Sequence, residues 1–190
     1  MAKRARVWTG TQFVELASAQ TDLTAYSTTA QMNTAITAGV GLVPILTQTI
    51  GTAVSSVVVN NVFSATYDAY KIVIAGTGTA SADCDLRTTL GASATGYYLG
   101  GFSSNINTNA AFWTGGRAGT TGQAFNMELL NPFLAIRTTC TANYTNFNVA
   151  GQYGATAGLH DVSTSFSSFT ITPSTGTLTG GTIYVYGYKK

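Results

Sequence analysis

The side chains able to do acid–base or metal chemistry are few, and their spacing argues against an enzyme. His160 is the only histidine, so it is the sole imidazole that could act as a general base. It lies in Gly158-Leu-His-Asp-Val162, which reads as a loop, with Asp161 beside it. A serine hydrolase would add a nucleophile on a Gly-x-Ser-x-Gly turn, and the chain has none. Asp83 and Asp85 alternate across Cys84. On one strand face two such carboxylates would raise one pKa, or could equally take Ca²⁺ with help from carbonyls; the reading preferred over both is a solvated strand end. Glu128 sits inside the apolar run Phe125-Asn-Met-Glu-Leu-Leu130. If it faces inward it needs a partner, and Arg137 on the next strand is the natural one, a structural pair and not a catalytic one. Gly76-Thr-Gly-Thr and Gly115-Gly-Arg-Ala-Gly lack the spacing of phosphate or dinucleotide loops. Cys84 and Cys140 are the only cysteines. With a single histidine they make no metal site; two reduced, partly buried thiols are expected, with an intrachain disulfide as the alternative. The expectation is a protein with no catalytic residues, no cofactor and no metal.

One constellation suits binding. Tyr97-Tyr98-Leu-Gly-Gly-Phe102 and Phe112-Trp113-Thr-Gly-Gly-Arg117 set aromatic rings beside glycine-rich turns, with Asn105, Asn107 and Asn109 between them. Flat aromatic faces with nearby amides match sugar rings, which combine apolar C–H faces with hydroxyls. Tyr97, Tyr98, Phe112, Trp113 and Arg117 are therefore the candidate glycan-binding residues. The competing reading is that these rings fill the core.

The elements that would position them are β-strands. Short runs of β-favouring residues recur near 55–63, 69–75, 84–90, 97–102, 123–130, 135–141, 147–153, 165–172 and 182–190, separated by Gly, Ser, Asn and Thr. This pattern predicts an all-β fold, an antiparallel β-sandwich or jelly roll, over 55–190. In Ile183-Tyr-Val-Tyr-Gly-Tyr188 the tyrosines share one face and Ile183 and Val185 the other. That strand should be covered on both sides. Ahead of it, residues 1–20 read as a docking segment. Arg6-Val-Trp-Thr-Gly-Thr-Gln-Phe-Val-Glu-Leu16 forms a small hairpin, with Gly10 free to take the positive φ of its turn. An isolated hairpin is marginal in water, so Trp8, Phe13 and Val14, with Arg4 and Arg6, are the candidate docking residues. Residues 21–54 read as a linker holding a short helix from Ser27 or Thr28 to Ala38, ended by Gly39. Met32, Ala35 and Ile36 fall on one narrow stripe, suited to a parallel bundle of identical helices or to packing on the chain's own β domain.

Composition narrows the class. Charged residues make up only 8% of the 190 residues, against roughly 25% in typical soluble domains. Low charge favours association, so an oligomer or a subunit of a larger assembly is expected. Of nine cations, Lys3, Arg4, Arg6, Lys189 and Lys190 lie at the ends, leaving four against seven acids in the body. A nucleic-acid binder would show a broad basic face, and a short basic arm does not amount to one. No run approaches the roughly 20 apolar residues of a membrane span, and the basic start is not followed by the apolar stretch of an export signal. Synthesis in the cytoplasm, with no standard export and no membrane insertion, is expected.

The ends of the chain carry a resemblance. Lys3-Arg-Ala-Arg-Val-Trp-Thr-Gly-Thr-Gln-Phe-Val-Glu-Leu16, followed by Asp22-Leu-Thr-Ala-Tyr-Ser-Thr-Thr-Ala-Gln-Met-Asn33, resembles the N-terminal head of small tail-fibre and virion surface proteins of tailed bacteriophages, including cyanophages. The close, Phe169-Thr-Ile-Thr-Pro-Ser-Thr-Gly-Thr-Leu-Thr-Gly-Gly-Thr-Ile-Tyr-Val-Tyr-Gly-Tyr188, is similar to their last strands. Together these segments cover about a third of the chain. The resemblance implies a virion protein, usually a homotrimer, whose head docks on baseplate or capsid proteins and whose β domain faces host cell-surface polysaccharide. A capsid decoration or cement protein is the alternative it leaves open. Exposure of Tyr97, Tyr98, Phe112 and Trp113 in one cleft would favour the fibre; their burial would favour the cement protein.

Overall fold

Alternation of apolar and polar residues over seven to eleven positions commits the longer segments of this chain to strands with one buried face. A computed structural model describes residues 6–15, 41–80, 84–101, 107–120, 123–146 and 152–190. All regular secondary structure among them is β, and neighbouring strands pair antiparallel. The chain divides into two compact units, Met1–Val40 and Gly41–Lys190.

In the first unit, β1 (Arg6–Trp8) pairs with β2 (Phe13–Glu15) in the register Trp8↔Phe13. This is the expected hairpin. Gly10 adopts φ 93°, and the turn is closed where the Thr9 N–H and Thr9 Oγ1 both donate to the Gln12 carbonyl at 3.0 Å. Arg4 and the expected helix with Met32, Ala35 and Ile36 lie outside the described residues.

The second unit is a two-layer sandwich. Its larger sheet contains β3 (Leu42–Thr49), β5 (Ala69–Thr79), β7 (Tyr97–Gly101), β8 (Asn107–Ala110), β10 (Gln123–Leu130), β11 (Thr138–Asn146), β12 (Gln152–His160) and β15 (Thr182–Tyr188), with β14 (Leu178–Thr179) attached to β5. The order is β3-β15-β5-β10-β11-β12-β7-β8. The smaller sheet runs β4 (Val57–Val59), β13 (Phe169–Pro173), β6 (Cys84–Leu90), β9 (Trp113–Ala118). The registers stack inward side chains in rows: Ile183, Ile74, Phe125 and Tyr144 form one, and Val185, Ile72, Met127 and Ala142 the next. From the other sheet Val59, Phe169, Leu90, Ile171, Leu86 and Trp113 close the core. Each fully buried aliphatic or Phe side chain contributes about 1.5–3 kcal/mol of transfer free energy.

Four expectations need correction. Residues 41–52, read as a connector, contain β3, so the β unit begins at Gly41 and not near residue 55. Pro44 is tolerated because β3 is an edge strand, and the register with β15 shifts beside it, between Val185 and Tyr186. Trp113-Thr-Gly-Gly-Arg117, read as a glycine-rich turn, is strand β9. Its glycines admit rings from the facing sheet: a Cβ on Gly116 would stand 2.9 Å from Phe125 Cγ. The strands read as 135–141 and 147–153 lie further along as the antiparallel pair β11 and β12. In it Tyr144 covers Gly154, where a Cβ would meet the ring at 2.4 Å. His160, read as a loop residue, ends β12 and is buried opposite Thr138.

Candidate functional site

His160 heads an aromatic nest in the core. Its ring centroid lies 4.4 Å from Tyr97, 5.1 Å from Phe166 and 6.1 Å from Trp113. Nε2 stands 2.8 Å from Ser93 Oγ and 3.1 Å from the Thr95 carbonyl. Nucleophile and base thus meet at a distance a hydrolase would need, but the surroundings oppose that use. A carbonyl only accepts, so the bond to Thr95 assigns the proton to Nε2. With that tautomer Nε2 has no lone pair to take a proton from Ser93. Nδ1 is buried without a partner, so no carboxylate orients the ring as a triad requires. Asp161 instead binds the Arg137 side chain, which is 65% exposed. Burial pushes the His160 pKa below its ordinary value, opposed more weakly by the Thr95 carbonyl and Asp161.

The candidate glycan-binding residues are not brought together. Tyr97 and Trp113 are wholly buried and meet edge to face with centroids 5.1 Å apart. The Tyr97 hydroxyl accepts from the Leu90 N–H at 2.7 Å and donates to the Ser93 carbonyl at 3.2 Å, while Trp113 Nε1 donates to the Leu159 carbonyl at 3.3 Å. Both residues belong to the core, and assigning them to a sugar site is corrected accordingly. Tyr98, one position along β7, is half-buried and points to the opposite face of the larger sheet. Phe112 precedes β9 and is half-buried; Arg117 is on the outer face of the smaller sheet.

That outer face carries polar and charged side chains. Cys84, Leu86, Thr88 and Leu90 of β6 turn inward, so Asp85, Arg87 and Thr89 turn outward. Register pairs Asp85 with Arg117 and Arg87 with Thr114 on β9, and Arg87 with Thr172 on β13. Arg117 Nε donates to Asp85 Oδ1 at 3.0 Å. The Arg87 guanidinium carbon sits 4.3 Å from the Phe112 ring centroid, a cation–π contact. Arg87 was not among the candidates, although the period-two alternation of 84–90 places it on an outward face; only the pairing of β6 with β9 brings Phe112 to it.

Glu128 does not pair with Arg137. It faces outward on β10, opposite Lys71 in register, with Lys71 Nζ at 4.0 Å, and accepts a hydrogen bond from the Tyr188 hydroxyl. That bond, followed by desolvation and the carboxylate charge, pushes the Tyr188 pKa up to about 12. Cys84 and Cys140 are both free thiols and buried, and burial pushes Cys140 up to about 12. Asp83 lies outside the described residues; among those described no group of acidic, His and Cys side chains could hold a metal ion, and no helix is long and apolar enough to cross a membrane. No protein-family model, curated protein or solved structure matches the chain.

Proposed function

We propose that this chain is a structural protein of a bacteriophage virion, a homotrimeric tail fibre that docks on the baseplate through its N-terminal unit and binds host surface polysaccharide through its β unit. The observation that carries this reading is the division of the chain into a short unit presenting Trp8, 55% exposed on a two-strand hairpin, and a separate β-sandwich. A docking arm and a display module are the parts an attachment protein needs, and weak single-site binding would be multiplied by valency. The low charge of the chain supports self-association. So does the outer face of β15, where Tyr184, Tyr186 and Tyr188 remain half-buried beside Val73 and Lys71 of β5.

A capsid decoration protein is the second reading. The burial of Tyr97 and Trp113 favours it, because these rings do not form an open cleft. Immunogold labelling of intact particles with an antibody to residues 41–190 separates the two. Label at the tail tip is expected. Label over the head would replace the fibre with the decoration protein, and unlabelled particles would end the virion reading.

A further inference from the structure

We propose that the outer face of the four-stranded sheet, centred on Arg87 and Phe112, binds an anionic sugar unit of a polysaccharide, one bearing a carboxylate or a sulfate. The proposal rests on the polysaccharide-binding reading above and names the ligand chemistry and the residue that reads it. Arg87 is the key. Among the described residues no carboxylate lies within ion-pair distance of it, whereas Asp85 is engaged by Arg117, Glu128 lies near Lys71, Asp161 binds Arg137 and Asp68 binds Lys190. Its Nε is buried without a hydrogen-bond partner, an orphaned donor that marks a guanidinium the fold itself does not pair.

The setting fits a sugar acid better than a free ion. The Phe112 ring centroid lies 4.3 Å from the guanidinium carbon, a cation–π contact. That contact restricts a rotamer-rich side chain, so less conformational freedom is lost when a ligand binds. Because Nε is covered, an incoming acid meets the Nη edge, a planar fork that matches carboxylate or sulfate oxygens in pairs. Thr114 and Thr172 flank Arg87 across the two neighbouring strands. Their hydroxyls give and accept hydrogen bonds, as ring hydroxyls of a sugar require. Asp85 screens Arg117 at 3.0 Å, so the surface reads one anionic group at a set position and is not a general basic patch.

The test uses the full chain and isothermal titration with two charged probes, hexagalacturonate and a sulfated carrageenan hexasaccharide, each against its uncharged form (the methyl ester and the desulfated sugar). A charged probe should bind in preference to its uncharged form and weaken with added salt. Arg87→Gln should lower that affinity roughly 10- to 100-fold, as loss of a charge-assisted pair implies. Arg87→Lys should recover part of it, while Arg137→Gln, which removes an exposed cation elsewhere, should change nothing. Circular dichroism melts of each variant guard against misfolding, and the lysine variant carries the test if Arg87→Gln does not fold. Failure of both charged probes to bind overturns the proposal. So does equal weakening by Arg87→Gln and Arg137→Gln, which would be attraction by net charge alone. Equal binding of charged and uncharged sugars, unaltered in Arg87→Gln, would overturn the anionic site while leaving the polysaccharide reading intact. Unlabelled particles in the immunogold experiment would overturn the virion reading without touching this result.

Discussion

Replacing Trp113 with alanine separates a core ring from a sugar platform. Trp113 is 0% exposed, packs edge-on to Tyr97 with centroids 5.1 Å apart and donates from Nε1 to the Leu159 carbonyl at 3.3 Å. Its indole also occupies the space over Gly158, where a Cβ would lie 2.8 Å from Nε1. A backbone this tightly matched to one ring cannot collapse fully into the gap, so the cost should fall in the range for large-to-small aromatic changes, about 3–5 kcal/mol. For a unit of this size each kcal/mol shifts Tm by roughly 2–4 °C, so the melting point should drop by roughly 6–20 °C. Thermal unfolding followed by far-ultraviolet circular dichroism measures this. A shift below about 2 °C, accompanied by lost polysaccharide binding, would refute the core assignment. A second measurement reports on the same residue without disturbing it. Trp8 and Trp113 are the only tryptophans, and Trp8 is 55% exposed. In Trp8→Phe the remaining fluorescence should be blue-shifted and resist acrylamide quenching. Gly158→Ala attacks the same contact from the other side, with an expected cost of about 1–3 kcal/mol from overpacking.

Because burial holds His160 below its ordinary pKa of 6.5, the unfolded chain takes up a proton that the folded chain refuses once pH falls below that value. Stability should therefore decline as pH drops from 6.5 through the depressed folded value, and urea midpoints between pH 7.5 and 5 should fall less in His160→Gln; parallel slopes would be the contrary result. The Tyr188 pKa is raised to about 12 by its bond to Glu128, so its contribution is complete below pH 10 and is lost as pH rises through 12. Ultraviolet titration should show a tyrosine that ionises late in the native protein and moves down in Glu128→Gln. Cys84 and Cys140 are free and buried, so a thiol reagent should react with both only after unfolding; fast reaction of the native protein would place a thiol at the surface. Residues 41–190 form a compact unit of their own, and a protein lacking residues 1–40 should stay soluble and melt cooperatively, with aggregation as the adverse outcome.

What was legible in the sequence is what depends on neighbours along the chain. The strand at residues 84–90 and that at 123–130 agree with the structure at both ends, because alternation over a whole strand assigns each residue to a face without reference to its partner. The hairpin around Gly10 was legible for the same reason: its turn chemistry is local. Whatever needed a facing partner depended on how the strands pair and the sheets stack. Leu42–Thr49 carries a proline and no clean alternation, and it becomes a strand only because β15 offers it an edge. Gly115 and Gly116 look like turn residues until Phe125 arrives from the other sheet to fill the space their missing side chains leave. The candidate binding site divided on the same principle. Tyr97 and Tyr98 are adjacent in sequence and therefore on opposite faces, one in the core and one outside, while Arg87 and Phe112 are far apart in the chain and in contact in space. The chain read alone makes this a β protein of low charge. Which rings became interior was settled by strand pairing, since burial is a property of two surfaces and the sequence of one strand describes only the first.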